Sequence, residues 1–281
     1  MKNILVTGGL GFVGTNLVKR LVSEGYEVTV IDNLSAGKLT NEVPGVTYYE
    51  MDTKDLSIHF PKFDLVFHLG EYSKIAPSFE EIQKVWDYNI KGSFAVLEYC
   101  RHNNIPIVYS GSSTKFAAEG ADHSPYAFAK ATIVNLIYNY ANWYDLKYSI
   151  CYFYNAYGPH QDTCNNGWET VISIFEKQVK AGKPVTICGD GLQRRDFTYV
   201  GDIVEGLMLA AEKLENDEYQ LGSGQDYSIL EVAKMFTDNI IHIAERPGDR
   251  KSGLANSEET RMKLGWVPQM NLQTWIKSLN L

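Results

Sequence analysis

Short apolar runs alternate with longer segments of helical periodicity through the first half of the sequence. The runs are apolar throughout their centres, which is typical of parallel strands covered on both faces. Helices are predicted between them at Phe12–Ser23, within Ile82–His102 and at Pro125–Asp145. This βαβ order predicts an α/β fold with a doubly wound, Rossmann-type parallel sheet. The predicted strands are Asn3–Thr7, Glu27–Ile31, Val46–Glu50, Leu65–Leu69, Ile107–Ser110 and Ser149–Phe153.

The alternation weakens after about residue 158. We expect a dinucleotide-binding domain at residues 1–157, with a returning segment near 198–214, and a smaller α/β substrate domain at 158–281. A ligand cleft is expected between the two. The elements predicted in the second half are a strand at Val185–Cys188 and helices at Thr170–Ala181, Ile203–Leu214, Leu230–Phe236 and Ser257–Lys263.

A glycine-rich turn directly follows the first predicted strand and leads into a helix. In it, Gly8 permits a tight turn, Gly11 lets the backbone approach a pyrophosphate, and Gly14 lets helix and strand pack closely. The diphosphate would lie on the helix N-terminus, where N–H groups and the dipole favour an anion. Strand, glycines and helix occur in the required order, so we expect a dinucleotide to contact this turn, including Phe12 and Val13.

Acidic residues after the next two strands favour NAD over NADP. Asp32 lies eighteen residues past Gly14, where a carboxylate accepts hydrogen bonds from a ribose 2′-hydroxyl and repels a 2′-phosphate. The alternative is a turn formed by Asp32 and Asn33. Asp52, followed by Thr53, is placed to bond the adenine, although a helix N-cap is an equal alternative.

Polar residues follow the ends of several strands, which in a parallel sheet lie on one rim. Leu69 and Gly70 end the fourth strand and are expected to contact the cofactor, and Ser112 follows the fifth. Tyr126 and Lys130 stand four apart on one helix face. An ammonium there would favour the phenolate of a tyrosine, whose ordinary pKa is about 10. This spacing also arises by chance, but the shared rim favours a catalytic pair.

The composition argues against several classes of protein. The net charge of −8 argues against nonspecific binding to nucleic acid or anionic membranes. The four cysteines form no CxxC or Cys/His cluster, which favours a reduced, cytoplasmic protein without a metal site. We interpret the glycine-interrupted N-terminus as a buried strand and not a signal peptide. No run approaches the roughly 20 apolar residues of a transmembrane helix.

Together these segments resemble the extended short-chain dehydrogenase/reductase family, and within it the NAD-dependent nucleotide-sugar 4-epimerases. Such an enzyme is an isomerase that inverts C4 of a UDP-hexose or UDP-N-acetylhexosamine through a transient 4-keto intermediate, with tightly bound NAD. The resemblance extends from residue 3 to about residue 268. The matching segments are TGGLGFVG, IDNLS, MDTKDL, HLG, Asn89–Gly92, SGSST, YAFAK, YFYNAYGP, QRRDFTYVGD, RPGD and LGWVP.

The resemblance implies roles for the residues on the rim. Tyr126 is the base, and Lys130 bonds the nicotinamide ribose and favours the phenolate. Ser112 bonds the sugar O4, and Asn89 helps to hold a helix or loop near the cofactor.

For the substrate, the resemblance implies a set of contacts in the second half. Arg195 and Arg246 clamp the diphosphate, as suits the bidentate guanidinium group. Asp249 bonds the nucleotide ribose, and Asn155 contacts the diphosphate or the sugar. Either arginine alone would be better interpreted as a solvated surface charge.

Three features depart from the family pattern. The segment from Ser112 to Tyr126 is short, Tyr152 replaces a common Arg, and Glu71 and Tyr72 replace commoner small residues. For Glu71 and Tyr72, a place in the sugar pocket and a role in packing or at the surface are equal alternatives.

Several reactions remain open. The related 4,6-dehydratases carry acids after the Ser112 position, where this sequence has Ser113, Thr114 and Lys115; Glu71 is the one nearby acid. Decarboxylation and simple 4-oxidation are harder to exclude. A dinucleotide-binding sensor without catalysis is the alternative from another class.

Two further expectations follow from the resemblance. Gly253 leaves room for a 2-acetamido group, so UDP-N-acetylhexosamines are candidate substrates beside UDP-hexoses. The aromatic-rich helices at Ile82–His102 and Pro125–Asp145 predict a homodimer, unless these aromatics simply cover the sheet or the second domain.

Overall fold

A single parallel sheet organises the first part of the computed structural model, which describes residues 3–116, 123–162, 169–245 and 252–281. Its strand order is β11-β6-β5-β4-β1-β2-β3. The doubly wound sheet predicted from the apolar runs is thereby confirmed. The strands are β1 Asn3–Thr7, β2 Glu27–Asp32, β3 Thr47–Glu50, β4 Leu65–His68, β5 Ile107–Ser112, β6 Tyr148–Phe153, β7 Ala156–Tyr157, β8 Val185–Cys188, β9 Arg194–Asp196, β10 Thr198–Tyr199, β11 Asp217–Leu221, β12 Asp226–Ser228 and β13 Ile240–Ile243.

Helices cover both faces of this sheet. One hydrophobic core lies between the sheet and helices α1 and α6, and a second lies between the opposite face and α3 and α4. The helices are α1 Phe12–Ser23, α2 Ile82–Val85, α3 Gly92–Asn103, α4 Pro125–Tyr144, α5 Val171–Lys180, α6 Val200–Lys213, α7 Ile229–Phe236, α8 Glu258–Leu264 and α9 Leu272–Ser278.

The second half of the chain builds a third core from smaller pieces. Helices α5, α7 and α9 enclose it, together with the parallel pair β8 and β13. Strands β9 and β12 form a separate antiparallel pair, and β7 pairs with β10. Helix α6 lies within the segment near 198–214 that was expected to return to the first domain, and β11 adds a strand to the first domain's sheet beyond residue 214.

Strand β11 was not predicted, and its position explains why. It pairs only with β6 and lies at the edge of the sheet, so polar and apolar residues alternate along Asp217–Leu221 instead of forming an apolar run. Strand β13 and helix α9 were not predicted either.

Strand β5 extends two residues beyond its predicted end, through Gly111 to Ser112. A Cβ at Gly111 would lie 2.5 Å from the Tyr152 ring on the neighbouring strand. Glycine is therefore needed for close strand packing here, although in a sequence it resembles the end of a strand. This extension places Ser112 in the sheet itself.

The predicted helical region within Ile82–His102 is interrupted. A π-helical turn, Trp86–Lys91, separates α2 from α3. Such turns change the direction in which side chains point and are frequent near functional sites. Here the turn carries the fully buried Asn89.

Candidate active site

One cavity lies beyond the carboxyl ends of β1, β2, β4 and β5, where the strand order reverses between β1 and β4. This is where open α/β sheets bind ligands. Most of the residues predicted from the sequence line it together: Gly8, Gly11, Phe12, Val13, Gly14, Asp32, Asn33, Thr53, Leu69, Gly70, Ser112, Tyr126 and Lys130.

The glycine turn has the geometry of a diphosphate cradle. Gly8 has φ +71°, a conformation that favours glycine, and a Cβ at Gly14 would collide with the carbonyl oxygen of Gly8. Around Gly11 the nearest atom to an added Cβ is the Gly8 carbonyl oxygen at 3.3 Å. The first N–H groups of α1 lack intrahelical partners, so this end of the cavity fits an anionic dinucleotide.

Asp32 is both a turn residue and part of the cavity wall. Its carboxylate oxygens accept backbone N–H bonds from Leu10 at 3.0 Å and Leu34 at 2.9 Å. Burial raises the pKa of Asp32 above its ordinary value, an effect that these two bonds oppose. The turn and the cofactor interpretations are therefore compatible, because the same anchored carboxylate lines the cavity.

Asp52 and Asn89 are beside the cavity and do not line it. Asp52 accepts a hydrogen bond from the side chain of Asn33 and pairs with Lys54 at 3.2 Å; it precedes a 3₁₀ turn without a capping bond from its side chain. Asn89 bonds both backbone groups of Tyr72, accepting from its N–H at 2.7 Å and donating to its carbonyl at 3.0 Å. It thus fixes the loop that follows β4.

The start of α4 determines where the tyrosine and lysine lie. Ser124 caps the helix by accepting the N–H of Ala127 at 3.1 Å, and Pro125 occupies the first helical position. Tyr126 therefore lies in the first turn, with Lys130 one turn later on the same face. Both are more than nine-tenths buried.

Ser112 is held at the end of β5, on the same cavity. Its Oγ accepts hydrogen bonds from the Thr114 hydroxyl at 3.0 Å and the Thr114 N–H at 3.3 Å. The three residues expected to carry the chemistry are thus brought together by two different elements.

Lys130 forms a buried ion pair with Glu71. The Lys130 ammonium donates to a carboxylate oxygen of Glu71 and, at 2.6 Å, to the backbone carbonyl of Ser110. Only 2% of the Glu71 side chain is exposed. Glu71 therefore combines two of the roles left open from the sequence, since it lines the cavity and is also packed inside.

A buried polar network continues from Glu71 back to the first strand. Glu71 Oε1 accepts from Ser93 at 2.9 Å, and Ser93 is 2.9 Å from His68 Nε2. On the other side, His68 Nδ1 is 2.7 Å from the Thr7 hydroxyl. Because Ser93 donates to the carboxylate, His68 donates to Ser93 through Nε2. The Thr7 oxygen already accepts the N–H groups of Leu69 and Gly70, so its hydroxyl donates to Nδ1, and His68 is in the neutral form.

Burial keeps the His68 imidazole neutral. It lowers the pKa of His68 to about 4, an effect that the Glu71 charge opposes and the Lys130 charge reinforces. An imidazole in the unfolded chain takes up its proton near a pKa of about 6.5. Acidification from about pH 6.5 to about pH 4 therefore favours the unfolded state, and above this interval the stabilisation is fully present.

We expect the His68→Gln variant to lose much of this pH dependence. Between about pH 7.5 and about pH 5, the free energy of unfolding of the unmodified protein should fall by about 2 kcal/mol more than that of the variant. Urea unfolding at the two pH values measures this. His59→Gln, at an exposed histidine, is the control and should behave like the unmodified protein. Equal pH dependence in His68→Gln would contradict the neutral, buried assignment.

Two of the predicted substrate residues, Asn155 and Arg195, do not line this cavity. The exposed Asn155 donates to the Asp196 carbonyl at 2.7 Å, and Arg195 donates to the Arg194 carbonyl at 2.8 Å. Asp196 is fully buried and accepts three backbone N–H bonds, which anchors the segment that carries Arg195. Arg246 and Asp249 lie outside the described residues.

Tyr152 belongs to a hydrogen-bonded cluster with Lys115, Tyr138 and Glu218. Its hydroxyl is 2.8 Å from the Lys115 ammonium and 2.5 Å from Glu218 Oε2. Lys115 also bonds Glu218 at 2.6 Å and Tyr138 at 2.7 Å. The residue that replaces the common Arg thus has a structural role, joining the turn after β5 to α4, β6 and β11.

Sequence reasoning missed part of the cavity wall. Gly37 packs against Asp32, and a Cβ there would lie 2.9 Å from the carboxylate; its place shortly after the second strand was a usable signal. The others lie in several loops, in the π-helical turn and at the end of β6, and nothing in the local sequence marked them as cavity residues. The missed residues include Ser35, Ala36, Gly37, Ser73, Lys74, Tyr88, Phe153, Gln161 and Thr170.

Among the residues that the structure describes, no group of three or more His, Cys, Asp and Glu side chains could hold a metal ion. Within the same ranges, no helix is long and apolar enough to cross a membrane.

The fold and the cavity define a dinucleotide-binding α/β protein with a Tyr–Lys pair beside the glycine turn. A profile of the NAD dependent epimerase/dehydratase family matches residues 4–228. The chain belongs to this family. It is an enzyme, and its cofactor is NAD.

Known relatives span more than one activity. UDP-glucose 4-epimerase from Thermotoga maritima is 31% identical over 98% of this chain and 96% of its own, with a TM-score of 0.91. UDP-N-acetylglucosamine 4-epimerase from Methanobrevibacter ruminantium is 30% identical, with the same coverages and a TM-score of 0.90. UDP-N-acetyl-alpha-D-glucosaminuronate decarboxylase from Bacillus cytotoxicus is 28% identical over 83% of this chain and 78% of its own.

Proposed function

We propose that the protein is a nucleotide-sugar 4-epimerase that acts on a UDP-hexose or UDP-N-acetylhexosamine. The observation that carries this proposal is that Ser112, Tyr126 and Lys130 line the same cavity as the glycine turn and Asp32. A proton acceptor and a cofactor site are thereby adjacent. The similarity to the Thermotoga and Methanobrevibacter epimerases supports the same reaction class.

Each residue has a distinct part in this proposal. Tyr126 takes the proton of the sugar 4-hydroxyl, Ser112 bonds the O4 atom, and the Lys130 charge favours the phenolate. NAD, when bound, supplies the acceptor and then the donor of the hydride at C4. The resulting 4-keto sugar turns over in the site before reduction, so C4 is inverted without net oxidation.

The cofactor contacts follow the cavity wall. The N–H groups of Gly11, Phe12 and Val13 would bond the diphosphate, and Asp32 would bond the adenosine ribose. Lys130 would bond the nicotinamide ribose. Asn89 acts through the loop it holds, and Asp52 would reach the adenine beside Asn33.

The acids near the site support epimerisation over dehydration. Elimination needs a carboxyl group free to exchange a proton, whereas Glu71 is buried and accepts from Lys130, Ser93 and Tyr109. Glu218, on β11, accepts a hydrogen bond from Lys115. Decarboxylation is the second candidate, since the Bacillus cytotoxicus relative is named for it.

The main test is incubation with a panel of nucleotide sugars and identification of the products by NMR. We expect an inverted C4 centre. Loss of carbon dioxide from a UDP-uronate would establish the decarboxylase instead, and a 4-keto-6-deoxy product would establish the dehydratase.

The Tyr126→Phe variant separates an enzyme from a sensor. Without its base, it should lose turnover by about 10²–10⁴-fold while NAD binding, measured by calorimetry, is unchanged. Tyr144→Phe, at an exposed tyrosine of the same helix, is the matched control. Unchanged turnover in Tyr126→Phe would refute the role of this tyrosine.

The segment that carries Arg195 is proposed to hold the nucleotide. Arg195 and Arg246 would clamp the diphosphate, Asp249 the ribose, and Asn155 the diphosphate or sugar. The anchored Asp196 supports this, because it fixes the backbone on which Arg195 lies.

Gly253 belongs to the same region, since its carbonyl accepts the Asp196 N–H at 2.9 Å. A glycine here leaves room for a 2-acetamido group. We therefore expect UDP-GlcNAc and UDP-Glc to be epimerised with kcat/KM values within about tenfold of each other. Parallel assays measure the two kcat/KM values. The Gly253→Tyr variant should lower kcat/KM for UDP-GlcNAc relative to that for UDP-Glc. Turnover of UDP-Glc alone would rule out this substrate range.

A homodimer is proposed through α2, α3 and α4. These helices, with the π-helical turn between α2 and α3, expose Trp86, Phe94, Phe128, Trp143 and Tyr144, whereas Tyr138 and Tyr140 bond inward to Glu218 and Glu98. Exposed aromatic residues of this number are typical of interfaces. The buried, free thiols of Cys100 and Cys151 are compatible with the proposed cytoplasmic location.

Replacing both Phe94 and Phe128 by Glu should weaken this dimer by roughly 100-fold or more, since charges would be buried in an apolar contact. Light scattering after gel filtration measures the mass. Met262→Glu, at an exposed residue of α8, should leave the dimer intact. A monomeric unmodified protein would contradict the proposal.

A further inference from the structure

Glu71 is the one acid on the cavity whose carboxylate is fully enclosed by hydrogen-bond donors in the described structure. Ser93 donates to Oε1 at 2.9 Å and Tyr109 at 3.0 Å, and Lys130 pairs with Oε2. These three donors satisfy the hydrogen-bonding capacity of a buried carboxylate. A carboxylate bound in this way is suited to fix another group and not to exchange protons with a substrate.

The ion pair determines how Lys130 is presented. An ammonium has three N–H donors, and two of those on Lys130 point to Glu71 and to the Ser110 carbonyl. The Tyr109 ring lies 4.8 Å from the same nitrogen. The third N–H therefore has a fixed direction available for a group in the cavity.

The pair also changes the local charge. With Glu71 ionised, Lys130 and Glu71 are together neutral, so the field that Lys130 exerts on Tyr126 is partly cancelled. The other polar groups that face this pair are Ser93, Tyr109 and the neutral His68. None of these three is positively charged. Tyr72 and Tyr88 pack around Tyr126, and Lys74 is the other cation among the described residues that line the cavity.

We propose that Glu71 is a positioning residue that fixes Lys130 and sets the pH at which Tyr126 becomes a phenolate. This inference rests on the proposed role of Tyr126 as the base. Asn89 supports the arrangement, because it clamps the backbone of Tyr72 next to Glu71. The π-helical turn that carries Asn89 thereby acts on Lys130 through the loop after β4.

The test replaces Glu71 by Gln, which keeps the shape and removes the charge. The uncompensated Lys130 charge should lower the pH at which the Tyr126 phenolate forms by roughly one unit. The readout is the ultraviolet absorbance of tyrosinate, titrated in Glu71→Gln and in the unmodified protein. Subtracting the same titration in the matching Tyr126→Phe background isolates the signal of Tyr126.

Glu81→Gln is the matched control. Glu81 accepts from the Tyr72 hydroxyl at 2.8 Å, in the same region, but does not contact Lys130. Its titration should coincide with that of the unmodified protein. A purely structural role for Glu71 would leave the titration of Tyr126 unmoved, and that result in a folded Glu71→Gln protein would overturn the proposal.

A second variant covers the case in which Glu71→Gln does not fold. Glu71→Asp keeps the charge and the Ser93 and Tyr109 donors but shortens the reach to Lys130. The pH at which the Tyr126 phenolate forms should fall in this variant too, by less than in Glu71→Gln. An unchanged pH would again overturn the proposal. Because the titration needs no substrate, it is independent of the reaction: a shift without turnover of any nucleotide sugar refutes only the proposed function.

Discussion

The buried ion pair between Lys130 and Glu71 joins parts of the molecule that are far apart in the sequence. Glu71 follows β4, Lys130 lies on α4, and the Ser110 carbonyl that also binds Lys130 belongs to β5. Breaking such a pair leaves an uncompensated charge in the interior, at a cost of about 3–5 kcal/mol. The loop after β4 and the first turns of α4 are therefore fixed relative to each other, and the cavity between them keeps its shape.

The polar network behind this pair reaches the cofactor turn. Thr7, at the end of β1, bonds His68 and also accepts the backbone N–H of Gly70 at 2.9 Å. Ser93 on α3 completes the connection to Glu71. The strand that leads into the glycine turn and the lysine beside Tyr126 are consequently parts of one hydrogen-bonded unit, so the expected sites for NAD and for proton transfer are set in a common frame.

Most of the fold could be predicted because its strands carry a local signal. Central strands of a parallel sheet are buried on both faces, and the runs at β1 and β4 are correspondingly apolar. The edge strand β11 lacks this signal, and the π-helical turn at Trp86–Lys91 has no recognisable one. Among the site residues, Tyr126 and Lys130 were found because helical spacing and the shared rim are both visible in a sequence.

The sequence by itself determined the doubly wound fold, the glycine turn, Asp32 and the Tyr126–Lys130 spacing, because each depends on residues close together along the chain. Only the tertiary structure decided what Glu71 does. Glu71 reads equally well as a pocket, packing or surface residue until β4, α3, α4 and β5 bring Ser93, Lys130 and Tyr109 around it. Its role depends on partners that lie between 22 and 59 residues away, and a pattern confined to neighbouring positions carries no information about such contacts.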